Sequence, residues 1–377
     1  MQGASQQTVE PVPPAPAAAG APSERVLALE FSGSAREYFR VWAVNLCLTL
    51  LTLGVFSAWA KVRKKRYFYA HTRLVGTPFQ YLAQPLPILK GRIIAAVVFV
   101  VYYLSSHYFT SVMPYVLAAG AALAPWVVVR SAAFNARYSA FRNMTFQFGA
   151  RYLDAAKTIY AWGLVAVLVV GSMFNWWGNP WFGVAAFGVF SLAFPWWIKR
   201  LKHFLVSHTG FGGEHGELSA TGGQFFAVYF KAGLIIAGAA FATGLLVAAS
   251  AQVAGTRPYA FLLAMLPAYA GYVLAFAFVQ AHLANLVWNH TRLGPLRFQS
   301  TLRARGLAKL YVTNALGILG TLGLLIPWAV VRTLRYRAEN MRVLLDGELD
   351  AFNAGAASAV RAAGAEVGEF FDLDLSL

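Results

Sequence analysis

The chain has 377 residues, 58% of them hydrophobic and only 12% charged, and its 31 Lys and Arg outnumber 15 Asp and Glu for a net charge of +16. Ordinary globular domains carry about 25% charged residues, so the polar surface that a soluble protein of this size needs is missing. That excludes a soluble fold, and it leaves the excess positive charge to be explained.

Residues 1–28 contain "PVPPAPAAAGAP", a Pro/Ala-rich stretch without periodicity that reads as a disordered tail. It has neither a basic start nor an apolar core, so it is not read as a signal peptide. Residues 29–350 read as a single membrane domain built of repeats, and 351–377 as a flexible acidic tail. Within the domain, the windows 41–60, 93–112, 113–129, 158–177, 178–198, 232–256, 258–281 and 310–331 hold no Lys, Arg, Asp or Glu. Each approaches the ~20 residues that cross ~30 Å of hydrocarbon as a helix. The expected fold class is an all-α polytopic membrane protein of repeated helix pairs, with short cytoplasmic β-strand segments. The single cysteine, Cys47, lies inside an apolar window and allows no intrachain disulfide.

The cations are not scattered. Most fall in the blocks 61–92, 130–157, 199–202, 292–309 and 332–342, which alternate with pairs of apolar windows. The loops around 107–113, 175–181 and 251–258, on the other side, hold one cation, Arg257. This is the positive-inside pattern. The charge is topological, with a secondary capacity to hold anionic lipid, and nucleic acid is not the expected partner.

A unit recurs along the chain. Trp59/Arg63, Trp126/Arg130, Trp196/Arg200 and Trp328/Arg332 share the spacing Trp-x3-Arg, with Phe278/His282 as a degenerate fifth copy. Eight residues past each basic position stand His71, Tyr138, His208, His290 and Asn340. At nine stand Thr72, Ser139, Thr209, Thr291 and Met341, and at sixteen three copies place Phe79, Phe146 and Phe298. Trp prefers the headgroup level and the cation lies one turn further toward water. The eight Trp and Arg residues of the four full copies therefore form candidate interfacial collars, able to anchor helices or hold anionic headgroups. Pro125, Pro195 and Pro327 precede three of the Trp residues and are expected to weaken a helical turn there. The short strands after the collars would pair into a cap beneath the bundle, closing edges that would otherwise stay open.

The first and last apolar windows match at an offset of 269, so that "NLCLTLLTLGVFSAWAKVRKKRY" lies over "NALGILGTLGLLIPWAVVRTLRY". Asn45/Asn314, Thr52/Thr321, Gly54/Gly323, Trp59/Trp328, Arg63/Arg332, Arg66/Arg335 and Tyr67/Tyr336 coincide without a gap. Both windows carry cations at both ends, which a single crossing would place on opposite faces. Two topologies follow: six crossings plus two re-entrant end hairpins turning at Thr-Leu-Gly, or eight crossings. In the first, Asn45, Thr52, Gly54, Asn314, Thr321 and Gly323 are candidate pathway-lining or re-entrant positions, because irregular backbone at membrane depth survives only when buried or lining a wet cavity.

Three stretches, "FSGSAREYFRVWAVNLCLTLLTLGVFSAWAKVRKKRYFYAHTRLVGTPFQY" (31–81), "NLVWNHTRLGPLRFQSTL" (285–302) and "AENMRVLLDGELD" (338–350), resemble the YjgN-like family of bacterial inner-membrane proteins, a family of unknown function. The resemblance implies a multi-pass protein of a bacterial cytoplasmic membrane. It supplies no reaction, ligand or catalytic residue.

Chemistry is sparse. Between Glu37 and Glu214 the only acid is Asp154, and no carboxylate lies inside an apolar window. Proton-coupled transport and paired-carboxylate catalysis therefore lack their groups. The nearest approach to a metal site is His203, His208, Glu214 and His215, but the H-E-x-x-H spacing is absent. No metal, no cofactor and no enzymatic activity are expected. Asn45, Asn175, Asn179, Asn285 and Asn314 sit in or beside apolar windows, either as structural hydrogen-bonding groups or lining a path. Two function classes remain: a passive, channel-like pathway for a small solute, and a non-transporting scaffold or anionic-lipid-binding protein.

Overall fold

The computed structural model describes residues 25–161, 171, 178–251 and 259–346. Asn175, Arg257, most of window 158–177, residues 1–24 and residues 347–377 lie outside them, so the last four residues of the stretch read as an N-terminal tail, 25–28, are described and belong to a strand.

Each repeat is a strand, two helical segments (three in the fourth) and a second strand. The first comprises β1 (Arg25–Phe31), α1 (Ala35–Leu51), α2 (Ser57–His71) and β2 (Thr72–Leu74). The second comprises β3 (Thr77–Tyr81), α3 (Pro85–His107), α4 (Met113–Arg137) and β4 (Ser139–Phe141). The third runs through β5 (Met144–Phe148), α5 (Tyr152–Tyr160), α6 (Pro180–Ser207) and β6 (Thr209–Phe211). The fourth has β7 (Glu214–Leu218), α7 (Gly222–Ala251), α8 (Tyr259–Ala264), α9 (Leu266–Asn289) and β8 (Thr291–Leu293). The fifth has β9 (Leu296–Ser300), α10 (Ala304–Gly320), α11 (Ile326–Glu339) and β10 (Met341–Leu345).

All ten strands join one closed antiparallel barrel in which β1 pairs with both β2 and β10. An all-α class is therefore wrong. Each collar is followed by a short alternating segment, too short to be stable alone, and closure of these five segments with β1 into one ring leaves no strand edge unpaired. The strands expected to form a cap do pair, but as a complete barrel to which the two ends of the domain contribute one strand each.

Tight turns make the hairpins. Val75 and Gly76, Arg142 and Asn143, and Gly212 and Gly213 all have positive φ at two consecutive positions, the backbone twist that two-residue hairpins need. The same register then repeats around the ring: Leu29 faces Leu74, Phe79 faces Phe141, Phe146 faces Phe211, Gly216 faces Leu293, and Phe298 faces Val343. These inward positions build the buried barrel core, with Phe79 and Phe141 at 4.9 Å and Phe146 and Phe211 at 4.7 Å between ring centroids. Outward positions such as Glu30, Arg73, Gln80, Glu217 and Arg292 are exposed, as the period of two demands.

Above the barrel stand the helices. Among the described residues five are long and apolar enough to cross a membrane, namely α3, α4, α6, α7 and the stretch that includes α9. The end windows are not single crossings. Each is a helical hairpin, broken at 52–56 and at 321–325, and each returns to adjacent strands of the barrel. The turn is the expected Thr-Leu-Gly. Leu53 and Gly54 have φ of 48° and 93°, and Leu322 and Gly323 have 50° and 94°. The Gly54 N–H donates to Thr49 O, and that of Gly323 to Ile318 O, both at 2.8 Å. Thr52 Oγ1 donates to Leu48 O at 2.7 Å and accepts from Phe56 N–H at 2.9 Å, and Thr321 repeats both bonds. The turn thus satisfies its own backbone, which permits Leu53 and Leu322 to stand 96% exposed at the tips.

Candidate functional site: an apolar chamber on the barrel axis

The repeated His/Tyr-Thr/Ser pair ends each inner helix. The carbonyls of His71, Tyr138, His208, His290 and Asn340 accept from the backbone N–H of Ser32, Leu82, Gly149, Ser219 and Thr301, at 2.9 to 3.0 Å. Meanwhile the Nδ1–H groups of His71, His208 and His290 donate to the carbonyls of Tyr67, Phe204 and Leu286, four residues back, at 2.7 to 2.9 Å. Thr72, Ser139, Thr209 and Thr291 do likewise with Phe68, Asn135, Leu205 and Val287 at 2.7 to 2.8 Å. These groups satisfy carbonyls that a helix end leaves open. His208 is therefore a cap, and among the described residues no three His, Cys, Asp or Glu side chains converge as a metal site.

The next helix packs closely on the one before. Five equivalent positions, Ala58, Pro125, Pro195, Ala277 and Pro327, are all fully buried. Pro125 and Pro195 lie inside helices that continue through them, α4 and α6, and Pro327 stands in the first turn of α11.

Where the five inner helices (α2, α4, α6, α9 and α11) meet the barrel they border a partly open chamber of about 810 Å³. Its floor is the barrel ring, with Leu74, Phe141, Phe211, Leu293 and Val343 at one level and Leu29, Phe79, Phe146, Gly216 and Phe298 beside them. Its wall is Phe68, Tyr69, Ala136, Leu205, Val287 and Trp288, and its few polar groups are the capping hydroxyls, Asn135 and Lys202. Gly216 is required because a Cβ there would lie 2.4 Å from Val206 O of α6.

A second cavity of about 470 Å³ lies between α2 and the α10–α11 hairpin, bordered by Lys64, Lys65, Asn314, Thr333 and Arg337, and it shares Phe68, Tyr69 and Leu334 with the chamber. Lys65 Nζ donates to Asn135 Oδ1 at 2.8 Å and sits 4.7 Å from the Tyr81 ring. Burial, and then the nearby Lys61 charge, hold its pKa below the ordinary lysine value. Burial, then Tyr69, pushes the Tyr81 phenol upward, and its buried hydroxyl has no hydrogen-bond partner among the described residues.

The residues singled out in the sequence fall into different places. Asn314 borders the second cavity and is tied to Ala329 O and Thr333 Oγ1 at 3.3 and 3.1 Å, with Arg332 donating to it at 3.2 Å. Asn45 is equally buried, but its Oδ1 has no partner among the described residues. Thr52, Gly54, Thr321 and Gly323 form the hairpin tips and border neither cavity. In the collars, Arg200 lies 5.4 Å from the Trp196 ring and Arg332 5.0 Å from Trp328, whereas Arg63 covers Phe56 instead of Trp59. Trp126 is exposed and Arg130 stands one turn beyond it. Asn179 caps α6 through Trp181 N–H, and Asn285 bonds Leu302 and Ser300. The ring at +11 escaped the sequence reading. Extending the repeat two residues past each Thr/Ser would have shown Leu74, Phe141, Phe211, Leu293 and Val343, an unbroken apolar column.

Comparison with known proteins agrees with a membrane location. The chain is 24% identical over 363 residues to the Inner membrane protein YjgN of Salmonella typhimurium, covering 85% of this chain and 89% of that protein. It is 34% identical over 73 residues to the Inner membrane protein YjgN of Escherichia coli K12, covering 19% and 17%. No solved structure matches. With its apolar spans and these relatives it is a multi-pass protein of the bacterial inner membrane, and, matching over residues 26–370, it belongs to the DUF898 family of bacterial proteins of unknown function.

Proposed function

We propose that the protein is a non-transporting, lipid-binding membrane protein that holds a single anionic amphiphile on its barrel axis, with the barrel on the cytoplasmic side. The observation that carries this reading is the chamber. Its volume lies within the roughly 300–1,000 Å³ of ligand sites, and like them it is apolar with a few convergent polar groups. Its apolar wall opens toward the helices and its floor is packed with aromatic and aliphatic side chains. A passive solute pathway along the axis would have to pass that floor, and hydrated solutes lose their water there without replacement. The cationic blocks flanking the helices supply the charge for an anionic head.

The test is mass spectrometry of the protein released intact from mild detergent. A retained lipid is expected in the wild type and its loss in Ala136→Trp, which fills the chamber wall, with thermal unfolding unchanged. Protein-dependent flux of a small solute into liposomes, with no lipid retained, would overturn the reading.

A further inference from the structure

The cavity between the two end hairpins has a feature that the axial chamber lacks. Three cations from two different elements border it: Lys64 and Lys65 on α2, and Arg337 on α11. Among the described residues no acid lines it and none of the three cations makes an ion pair. Arg337 has Tyr311 Oη at 3.3 Å and Lys65 has Asn135, both neutral partners that leave the charges uncompensated. Lys64 and Arg337 are exposed and Lys65 is half-buried, so the three charges give the concavity a positive local field that draws anions to it. The remaining lining has two characters. Thr333 and Asn314 are polar, while Ile318, Ile326 and Val330 are apolar on the tip side.

The offset of 269 gives the arrangement its logic. Lys64 and Phe68 on α2 correspond to Thr333 and Arg337 on α11, so the equivalent i, i+4 pair holds its cation at the first position in one helix and at the second in the other. The facing helices thus present cations one turn apart to the space between them. The shared border of Phe68, Tyr69 and Leu334 joins this cavity to the chamber. An anionic group bound between the hairpins can therefore belong to a molecule whose apolar part lies on the axis.

We infer that Lys64, Lys65 and Arg337 form a binding site for a phosphate group, specifying the head of the amphiphile. This deepens the lipid-binding reading above and rests on it for the source of the phosphate. Phosphate suits the donors: an arginine fork and two lysine ammoniums offer charge-assisted bonds to several oxygens at once. The same chemistry is offered by a phospholipid headgroup and by free phosphate.

The experiment compares the full chain, its Lys64→Ala/Lys65→Ala/Arg337→Ala variant, and a control with two collar cations outside the cavity removed, Arg305→Ala/Lys309→Ala. Each is placed in nanodiscs of phosphatidylcholine with and without phosphatidylglycerol, and retained lipid is read by mass spectrometry. A parallel arm titrates inorganic phosphate without phosphatidylglycerol and reads thermal stabilisation. The expected result is a preference for phosphatidylglycerol that falls by about tenfold or more in the triple variant, stays in the control, and leaves phosphatidylcholine occupancy unchanged. Stabilisation by inorganic phosphate that the triple variant loses, with no lipid retained by any form, would uphold the phosphate site and sink the lipid-binding function. Lipid retained without headgroup preference, or a preference equal in wild type and triple variant, overturns the phosphate site and leaves the lipid-binding function standing. Absence of both lipid and phosphate binding in the wild type overturns both. Lys64→Arg/Lys65→Arg, which keeps charge, is expected to retain the preference and separates loss of the site from loss of fold.

Discussion

Arg335 Nη2 donates to Gly33 O at 3.0 Å, a bond that joins positions 302 residues apart. Its counterpart in the first repeat, Arg66 Nη2 to Ala83 O at 3.1 Å, spans 17 residues. In the fourth repeat Asn285 Nδ2 takes the same role toward Leu302 O at 2.8 Å. Each side chain reaches from the end of an inner helix to the linker that starts the next repeat. Arg335 therefore treats the beginning of the domain as the sixth repeat. The ring is continuous in space, and the place where the chain is cut lies within one barrel hairpin, between β10 and β1.

Arg335→Ala and Arg66→Ala are both expected to destabilise the protein by about 1 kcal/mol, the ordinary net worth of such a bond near the surface. Lysine should rescue each incompletely, since it lacks the planar fork that reaches a carbonyl beside other partners. Thermal unfolding in detergent, followed by circular dichroism, measures both. A loss in Arg66→Ala with none in Arg335→Ala would mean that the β1–β10 closure is not maintained in solution.

Much of this was legible in the sequence because the repeat carries its own register. Trp196/Arg200 and Trp328/Arg332 mark helix faces where an i, i+4 pair is in reach, and the cation–π contacts follow. Thr52-Leu53-Gly54 and Thr321-Leu322-Gly323 were readable as turns, since glycine takes the φ that other residues avoid and threonine serves the backbone on both sides. The barrel was not readable as a barrel. Segments such as Thr72-Arg73-Leu74 are three residues long, and nothing local says that β1 and β10, the most distant strands in the chain, complete the ring. The site was missed for the same reason: its lining comes singly from each repeat, so no segment shows a cluster. His208 belonged to the nearest approach to a metal site and is a cap, as His71 is, because an Nδ1–H four residues past a free carbonyl meets it at hydrogen-bond distance.

Val75 is a β-branched residue with φ of 51° at an exposed hairpin turn. Left-handed backbone costs such a side chain about 1–2 kcal/mol. Val75→Asn removes no buried contact and supplies a residue that tolerates the conformation, so it should raise the unfolding midpoint by about 1 kcal/mol in stability. An unchanged or lowered midpoint in the same thermal assay would mean that the valine makes contacts the isolated turn does not suggest.

The end hairpins predict a labelling pattern. If the hairpins are re-entrant, Leu53→Cys and Leu322→Cys in a Cys47→Ala background should resist a membrane-impermeant maleimide from either face, since these apolar, exposed tips would then stand in hydrocarbon. Asn143→Cys, on a barrel turn, should label from one face only, the same face as Arg73→Cys. Labelling of position 53 and position 73 from opposite faces would mean that the hairpin tip crosses the bilayer and would overturn the re-entrant placement.

Gly271 of α9 faces Ala239 of α7 so closely that a Cβ on the glycine would lie 2.1 Å from the alanine Cβ. In a bilayer helices gain little from apolarity alone, so close approach of small residues is what holds such a pair together. Gly271→Ala forces the two axes apart or bends one of them, at a cost of about 1–3 kcal/mol. The double variant Gly271→Ala/Ala239→Gly moves the same methyl group across the interface and should recover most of that loss. In a double-mutant cycle read by denaturant unfolding, recovery gives a large favourable coupling, whereas simple addition of the two losses would mean that these helices do not meet at Gly271. Val287 and Trp288, further along the same helix, line the chamber wall. Gly271→Ala should therefore weaken retention of lipid together with stability, and the double variant should restore the two in parallel.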